Sequence, residues 1–257
     1  MIRFEGLHKS YGDLVAVDSL TFEIPAGRVF GFIGRNGAGK TTTIKMMMGL
    51  LEPTGGTVSL GGFDIHRQAR EAKAITGYLP DHPYLYDKLT GREFLGFVAG
   101  LYGVPAHERD SRAEELLGDF ALLERAGELT ETYSHGMKQR LALAGALIHG
   151  PKILVLDEPM VGLDPQGALD FQRLLGNLAT QGVSIFLSTH SLPVAEALCE
   201  SIGVLDRGRL IALGTLDELR ERAATGEGRP ERLNGGAAPE SLESVFLDLV
   251  GAEDGQW

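Results

Sequence analysis

Apolar and polar positions divide this chain into stretches of three kinds. Leu20-Thr21-Phe22-Glu23-Ile24 alternates with period two, as a half-buried antiparallel strand does, and Met1 to Leu7 reads as a strand before it. Val29 to Ile33, Ile75 to Leu79, Ile153 to Leu156 and Val183 to Leu187 are short unbroken apolar runs, the pattern of parallel strands covered on both faces. Thr57 to Ile65 reads as a short strand pair broken by Gly61-Gly62, and Ile202–Leu205 with Arg209–Leu213 as a hairpin around Asp206-Arg207-Gly208. Helical spacing marks Thr42 to Leu51, Ala113 to Phe120, Gln166 to Thr180 and Leu192 to Cys199. It also marks the run carrying Phe94, Leu95, Phe97, Val98 and Leu101, which Thr90 and Glu93 open as a capping box. A further helix, Met137 to His149, is entered through Ser134-His135-Gly136. The result is an α/β protein: a strand-rich body from 1–81 and 150–220, with a helical subdomain, 82–149, inserted into it. Residues 221–257 are expected to form a linker, where Ala224 to Pro239 is rich in Gly, Ala, Pro and charge, and then a short amphipathic segment with Leu242, Val245, Phe246, Leu249 and Val250.

One junction carries chemistry. Between the apolar run ending at Ile33 and the helix beginning near Thr42 stands Gly34-Arg35-Asn36-Gly37-Ala38-Gly39-Lys40-Thr41-Thr42, which fits G-x-x-x-x-G-K-[ST]. Strand, glycine loop and helix together form a cradle in which successive backbone N–H groups and the helix N-terminus face an anion. Lys40 is expected to reach the β- and γ-phosphates of a nucleoside triphosphate, and the Thr41 hydroxyl to ligate Mg²⁺. An ordinary glycine-rich turn leaves the lysine and threonine unexplained.

Composition narrows the partners. A formal net charge of −11 argues against nucleic acid as a ligand. The one cysteine, Cys199, excludes an intrachain disulfide and fits a reducing compartment. No stretch approaches the roughly 18 apolar residues that span a bilayer, and Met1-Ile2-Arg3-Phe4-Glu5 lacks the apolar stretch of a signal peptide. A soluble protein is expected, with any membrane role supplied by a partner. The seven histidines include no pair at metal-ligand spacing with supporting carboxylates or thiols, so zinc is not expected.

Further candidates sit at strand ends. Asp157 follows four apolar residues and is placed to organise Mg²⁺; Glu158, pointing elsewhere, is placed to orient and deprotonate water. His190 ends another strand, where it either contacts the γ-phosphate or the water or is simply a satisfied structural group. Tyr11, beside Gly12, either stacks on a purine or packs in a turn.

In order along the chain stand the phosphate loop, Tyr133-Ser134-His135-Gly136-Met137-Lys138-Gln139-Arg140, the run Ile153 to Glu158 with Gly162-Leu163-Asp164, and Ser188-Thr189-His190. In this set the chain resembles the ATP-binding subunits of ATP-binding cassette (ABC) transporters over nearly all of residues 1–220. With its tail Leu242-Glu243-Ser244-Val245-Phe246 it is most similar to those that pair with ABC-2-type exporter permeases. The resemblance implies a P-loop NTPase fold with a RecA-like core and an antiparallel β subdomain, and an ATPase using ATP and Mg²⁺. It implies a head-to-tail dimer with a second copy, sandwiching two ATP molecules, and a separate integral membrane permease that holds the subunit at the inner face of the cell membrane. By the same resemblance Tyr11 stacks on adenine, and Ser134 and the Gly136 backbone contact the ATP bound by the other subunit. Asp164 lies in a loop crossing the dimer interface, and His190 is the switch histidine.

Two departures stand out. The commonest signature, Leu-Ser-Gly-Gly-Gln, is here Tyr133-Ser134-His135-Gly136-Met137, which keeps the serine and the second glycine. Asp81 replaces the family's Mg²⁺-reaching glutamine, which leaves open whether it ligates directly, acts through water or takes no part. Tyr84-Leu85-Tyr86 is either where a permease docks or subdomain core. Two other functions compete: a non-transport ABC ATPase acting on a soluble macromolecular partner, and a phosphate-loop kinase.

Overall fold

The computed structural model describes residues 1–160, 165–225 and 241–250. The Gly162-Leu163-Asp164 segment and residues 226–239 of the expected linker lie outside the described residues. Four strands form an antiparallel sheet in the order β2-β1-β4-β5: β1 (Ile2–Tyr11), β2 (Leu14–Ile24), β4 (Gly55–Leu60) and β5 (Phe63–Asp64). Six form a second sheet: β3 (Val29–Gly34), β6 (Thr76–Leu79), β7 (Ile153–Asp157), β8 (Ser184–Thr189), β9 (Ser201–Asp206) and β10 (Arg209–Gly214), in the order β10-β9-β3-β8-β7-β6. All neighbours in it are parallel except the β9–β10 hairpin.

The solid apolar runs are solid because both faces of this sheet are covered. Along β7 and β8, Leu154, Leu156, Ile185 and Leu187 join one apolar cluster, while Ile153, Val155 and Phe186 join another. The second cluster is closed by the antiparallel sheet and by α1 (Lys40–Met47) through Phe4, Phe22, Ile44 and Met47. Phenylalanines knit the two sheets: Phe4 stacks on Phe22 at 4.4 Å between centroids, and Phe22 meets Phe30, which meets Phe186, each at 5.6 Å. Burying each such ring is worth about 1.5–3 kcal/mol. The alternation read in β2 is real: Leu20, Phe22 and Ile24 are buried, Thr21 and Glu23 exposed.

Between β6 and β7 lie α3 (Gly91–Leu101), α4 (Ala106–Asp119) and α5 (His135–Leu147). Thr90 caps α3 as the sequence predicts. Its hydroxyl accepts from Glu93 N at 3.2 Å, and the Glu93 carboxylate accepts from Thr90 N at 2.8 Å. Leu85, Phe94, Leu117 and Leu141 belong to the same apolar cluster as Leu79, Leu154 and Leu187, so the helical unit and one face of the sheet share a core. Helices α6 (Pro165–Thr180), α7 (Leu192–Leu198), α8 (Leu216–Thr225) and α9 (Leu242–Val250) complete the chain. α9 buries Leu242, Val245 and Phe246 against Leu192, Ala195 and Leu219. The start of the expected linker, Ala224-Thr225, is the last turn of α8.

Several boundaries move. α1 begins at Lys40 and stops at Met47, short of Leu51, because Gly49 turns left-handed (φ +60°). β1 and β2 run on to Tyr11 and back from Leu14 through irregular register, where polar residues hide the alternation. A short helix, α2 (Ala69–Ala74), lies where periodicity predicts nothing; it buries only Ala72.

Candidate active site

Parallel pairing brings the C-terminal ends of β3, β6, β7 and β8 to one edge, with Asp157 opposite Ser188 and Ile33 opposite Thr189. Ligands of open parallel sheets bind beyond that edge. The phosphate loop follows β3 there. Gly39 is its conformational pivot: φ is +108°, and a Cβ would stand 2.5 Å from the Ala16 carbonyl oxygen. Lys40 is folded inward, donating to the carbonyls of Gly34 at 2.6 Å and Arg35 at 3.3 Å. Burial lowers its pKa, and the nearby Glu158 and Asp157 oppose that shift. Ala38 N donates to Arg35 O at 3.1 Å and Thr43 N to Gly39 O at 2.9 Å, so the loop is held by its own backbone.

Asp157 is 1% exposed, and neither carboxylate oxygen makes a hydrogen bond of normal geometry. Burial pushes its pKa up; the nearby Ser188 and Thr41 hydroxyls pull against this, and the Asp81 charge adds to it. Glu158 has a left-handed backbone, φ +49°. Its carboxylate lies 2.9 Å from His190 Nδ1, accepts from His190 N at 3.4 Å and stands 3.8 Å from Lys40 Nζ.

A cleft of about 590 Å³ collects Tyr11, Asn36, Gly37, Gly39, Lys40, Thr41, Thr42, Asp81 and Glu158. Gly34 and Ala38 contribute backbone groups beneath it. Asp81 is exposed at the cleft, its Oδ1 accepting from His82 N at 2.8 Å. Tyr11 is half exposed, with Lys9 Nζ 5.1 Å from its ring centroid.

Ser134 and Gly136 are elsewhere. Ser134 caps α5, its Oγ accepting from Met137 N at 3.3 Å. With Gly136, Phe120, Arg140 and Phe171 it lines a separate pocket of about 630 Å³ that shares no residue with the cleft. Tyr84-Leu85-Tyr86 divides: Leu85 is buried, whereas Tyr84 is 83% exposed and meets Tyr86, which meets Phe97, edge to face at 5.9 and 5.2 Å.

Other groups in the cleft escape sequence reasoning. Leu14 and Val15 enter from the start of β2, and Arg207 from the β9–β10 turn. That turn is pinned: Gly208 N donates to Ala38 O, and Asp18 N to Gly208 O, both at 2.8 Å. Locally Arg207 reads only as a hairpin tip; it arrives here because β9 is the neighbour of β3.

The fit of Mg²⁺ is tested by the donor set. A buried carboxylate with both oxygens unpaired, beside a threonine hydroxyl, suits a hard divalent cation. Among the described residues no cluster of three or more acidic, histidine or cysteine side chains could form a cage.

Fold and cleft together define a P-loop nucleoside triphosphatase. Comparison with known proteins narrows this. A family model described as ABC transporter matches residues 17–161. The chain is 38% identical to the Nod factor export ATP-binding protein I of Burkholderia thailandensis, over 98% of this chain and 97% of that one. A solved structure described as the ATP binding subunit of an ABC transporter superposes with a TM-score of 0.85 at 33% identity, covering 97% of this chain and 99% of that one. A second, the dimeric post-hydrolysis state of an ATP-binding cassette bound to ADP and Pi, gives 0.77 at 25% identity, over 84% and 99%. The chain belongs to the ABC transporter family, and it is an ATP-hydrolysing subunit whose activity powers transport.

Proposed function

We propose that this chain binds Mg·ATP in the cleft of the phosphate loop and hydrolyses it in a head-to-tail pair with a second copy, driving export through a separate integral membrane permease. The observation that carries the reading is the meeting of Lys40, Glu158 and His190 beside the unpaired Asp157 carboxylate. In this reading Tyr11 supports the adenine, and the loop N–H groups with Lys40 neutralise the β- and γ-phosphates. Thr41 and Asp157 would hold Mg²⁺, which screens phosphate charge, with Asp81 a candidate third group at the cleft. Glu158 takes a proton from water as the water oxygen bonds to the γ-phosphorus and the bond to the bridging oxygen of ADP breaks. His190 holds the Glu158 carboxylate through its ring nitrogen and backbone N–H.

Ser134 and Gly136 complete the site of the other copy, which is why they line a different pocket in their own chain. The exposed Tyr84, Tyr86 and Phe97 are the surface offered to the permease, which keeps the subunit at the inner membrane face. Among the described residues no helix is long and apolar enough to cross a membrane. Residues 1–81 and 150–220 act as the nucleotide-binding core, 82–149 as the helical unit carrying the signature, and α9 as a C-terminal helix packed on that core.

Glu158→Gln tests the reading. Turnover is expected to fall by about 10²–10⁴ while ATP affinity holds, and light scattering with Mg·ATP is expected to show a dimer, since ligand that binds only the closed pair stabilises it. Retained turnover removes Glu158 from the chemistry, and a monomer at saturating ATP removes the sandwich.

A further inference from the structure

Gln139 is a buried side chain that the reading above leaves unused. It lies on α5, two residues after Met137 and one turn inside the helix that Ser134 caps. Its side chain is 1% exposed, its Nε2 donates to the Pro159 carbonyl at 3.2 Å, and its Oε1 has no hydrogen-bond partner among the described residues. A buried amide with one unpaired oxygen costs stability, so packing does not explain a glutamine here; a methionine or leucine fills similar volume without that cost. What the glutamine supplies is a rod of fixed length from the signature helix to the residue directly after Glu158. Glu158 is poorly determined by its own backbone, since its left-handed φ of +49° is a conformation that L side chains disfavour. The main chain around it is fixed on one side by its N–H donating to Ser188 O at 2.9 Å, and beyond Pro159 by Gln139 holding the Pro159–Met160 peptide.

We propose that Gln139 is a positioning residue: by gripping the Pro159 carbonyl it holds the Glu158 carboxylate in its place between Lys40 and His190, and it ties that placement to the position of α5. A displacement of the Ser134–Gly136 end of the helix is thereby transmitted to Glu158 within the same chain. The proposal deepens the site described above and rests on Glu158 acting on water.

The test uses the full-length protein and the Gln139→Met variant, which removes the donor at nearly constant volume, each with and without Glu158→Gln. Expected is a fall in kcat of about 10- to 100-fold, the scale of a misplaced catalytic group, with KM for ATP and ATP affinity within about twofold of the parent. In the Glu158→Gln background the same change is expected to lower residual turnover no further, because two residues acting through one step are not additive. Gln139→Asn, a methylene too short to reach Pro159 O, is expected to behave like Gln139→Met. An unchanged kcat overturns the proposal, as does a fall in kcat matched by lost ATP affinity or by a full additive loss in the double variant; either of these last two marks a general packing role. If Glu158→Gln alone keeps its turnover, the assignment of Glu158 has failed, whatever Gln139→Met does in the parent.

Discussion

The phosphate-loop end and the signature end of this chain are built in opposite ways. Around the loop, charged groups answer one another inside the subunit: Lys40 to two carbonyls and Glu158, Glu158 to His190, and the β9–β10 turn to Ala38. At the start of α5, the Ser134 hydroxyl accepts one helix N–H, and Ser134 and Gly136 open onto a separate pocket. One end is a cleft whose charged groups are paired within the subunit. The other is a helix N-terminus whose favourable potential faces out of the subunit. On the proposed reading the first end is needed for both binding and turnover, and the second for turnover alone.

The contrast breaks if substitutions at the two ends have the same effect. Lys40→Ala is expected to weaken ATP binding by about 100-fold or more, since it removes the cation nearest the phosphates; equal heats of binding in variant and parent, measured by calorimetry, would reverse the assignment of the ends. Ser134→Ala is expected to leave ATP affinity within about twofold and to lower turnover by about tenfold, the worth of one charge-assisted hydrogen bond. It also removes the α5 cap at about 1 kcal/mol, so Ser134→Asn sharpens the test: the cap and the melting midpoint return, the turnover does not.

Asp81 adds a smaller, local effect. Its carboxylate raises the pKa of Asp157, so the two compete unless a cation lies between them. The ratio of ATP affinities with Mg²⁺ and with chelator is expected to fall severalfold in Asp81→Asn, while Asp81→Gln keeps ATPase activity. An identical ratio in all three proteins places Asp81 outside the metal site.

The smallest effect is on stability, at the far end of α5. His149 stacks on Tyr102 with centroids 3.8 Å apart, and burial lowers its pKa from 6.5 to about 4, the Thr76 backbone offsetting only part of this. The unfolded chain takes up a proton near pH 6.5 that the folded chain resists until about 4. Stability from this group is therefore complete above pH 6.5 and lost as pH falls toward 4. Allowing for solvent reaching the ring, the loss is of order 1 kcal/mol. Denaturant midpoints at pH 7 and pH 5 measure it; His149→Phe is expected to flatten the difference, and an unchanged slope would locate the acid sensitivity elsewhere.

Legibility in the sequence followed locality. The strand–loop–helix at Lys40, the alternation of Leu20, Phe22 and Ile24 and the Thr90–Glu93 box depend on neighbours within a turn or two, and all could be read from the residues. The ends of β1 and β2 could not, because their pairing runs through bulges that break the period. Arg207 and Gln139 could not either. Each owes its place to a contact across more than a dozen residues, one set by sheet order and the other by the packing of α5 on the turn after β7.

The central position of β3 has a consequence for how the protein comes into being. Both of its hydrogen-bonded neighbours, β8 and β9, lie at residues 184–189 and 201–206, while β3 itself spans 29–34. A ribosome releases the phosphate loop early and the strands that hold it late. Until the second half of the chain has emerged, β3 has two unpaired edges and no sheet to complete, and closing so long a loop is slow. The phosphate loop is thus framed only after β8 and β9 have been synthesised, and a nascent fragment ending before residue 184 has the nucleotide motif without the strands that hold it.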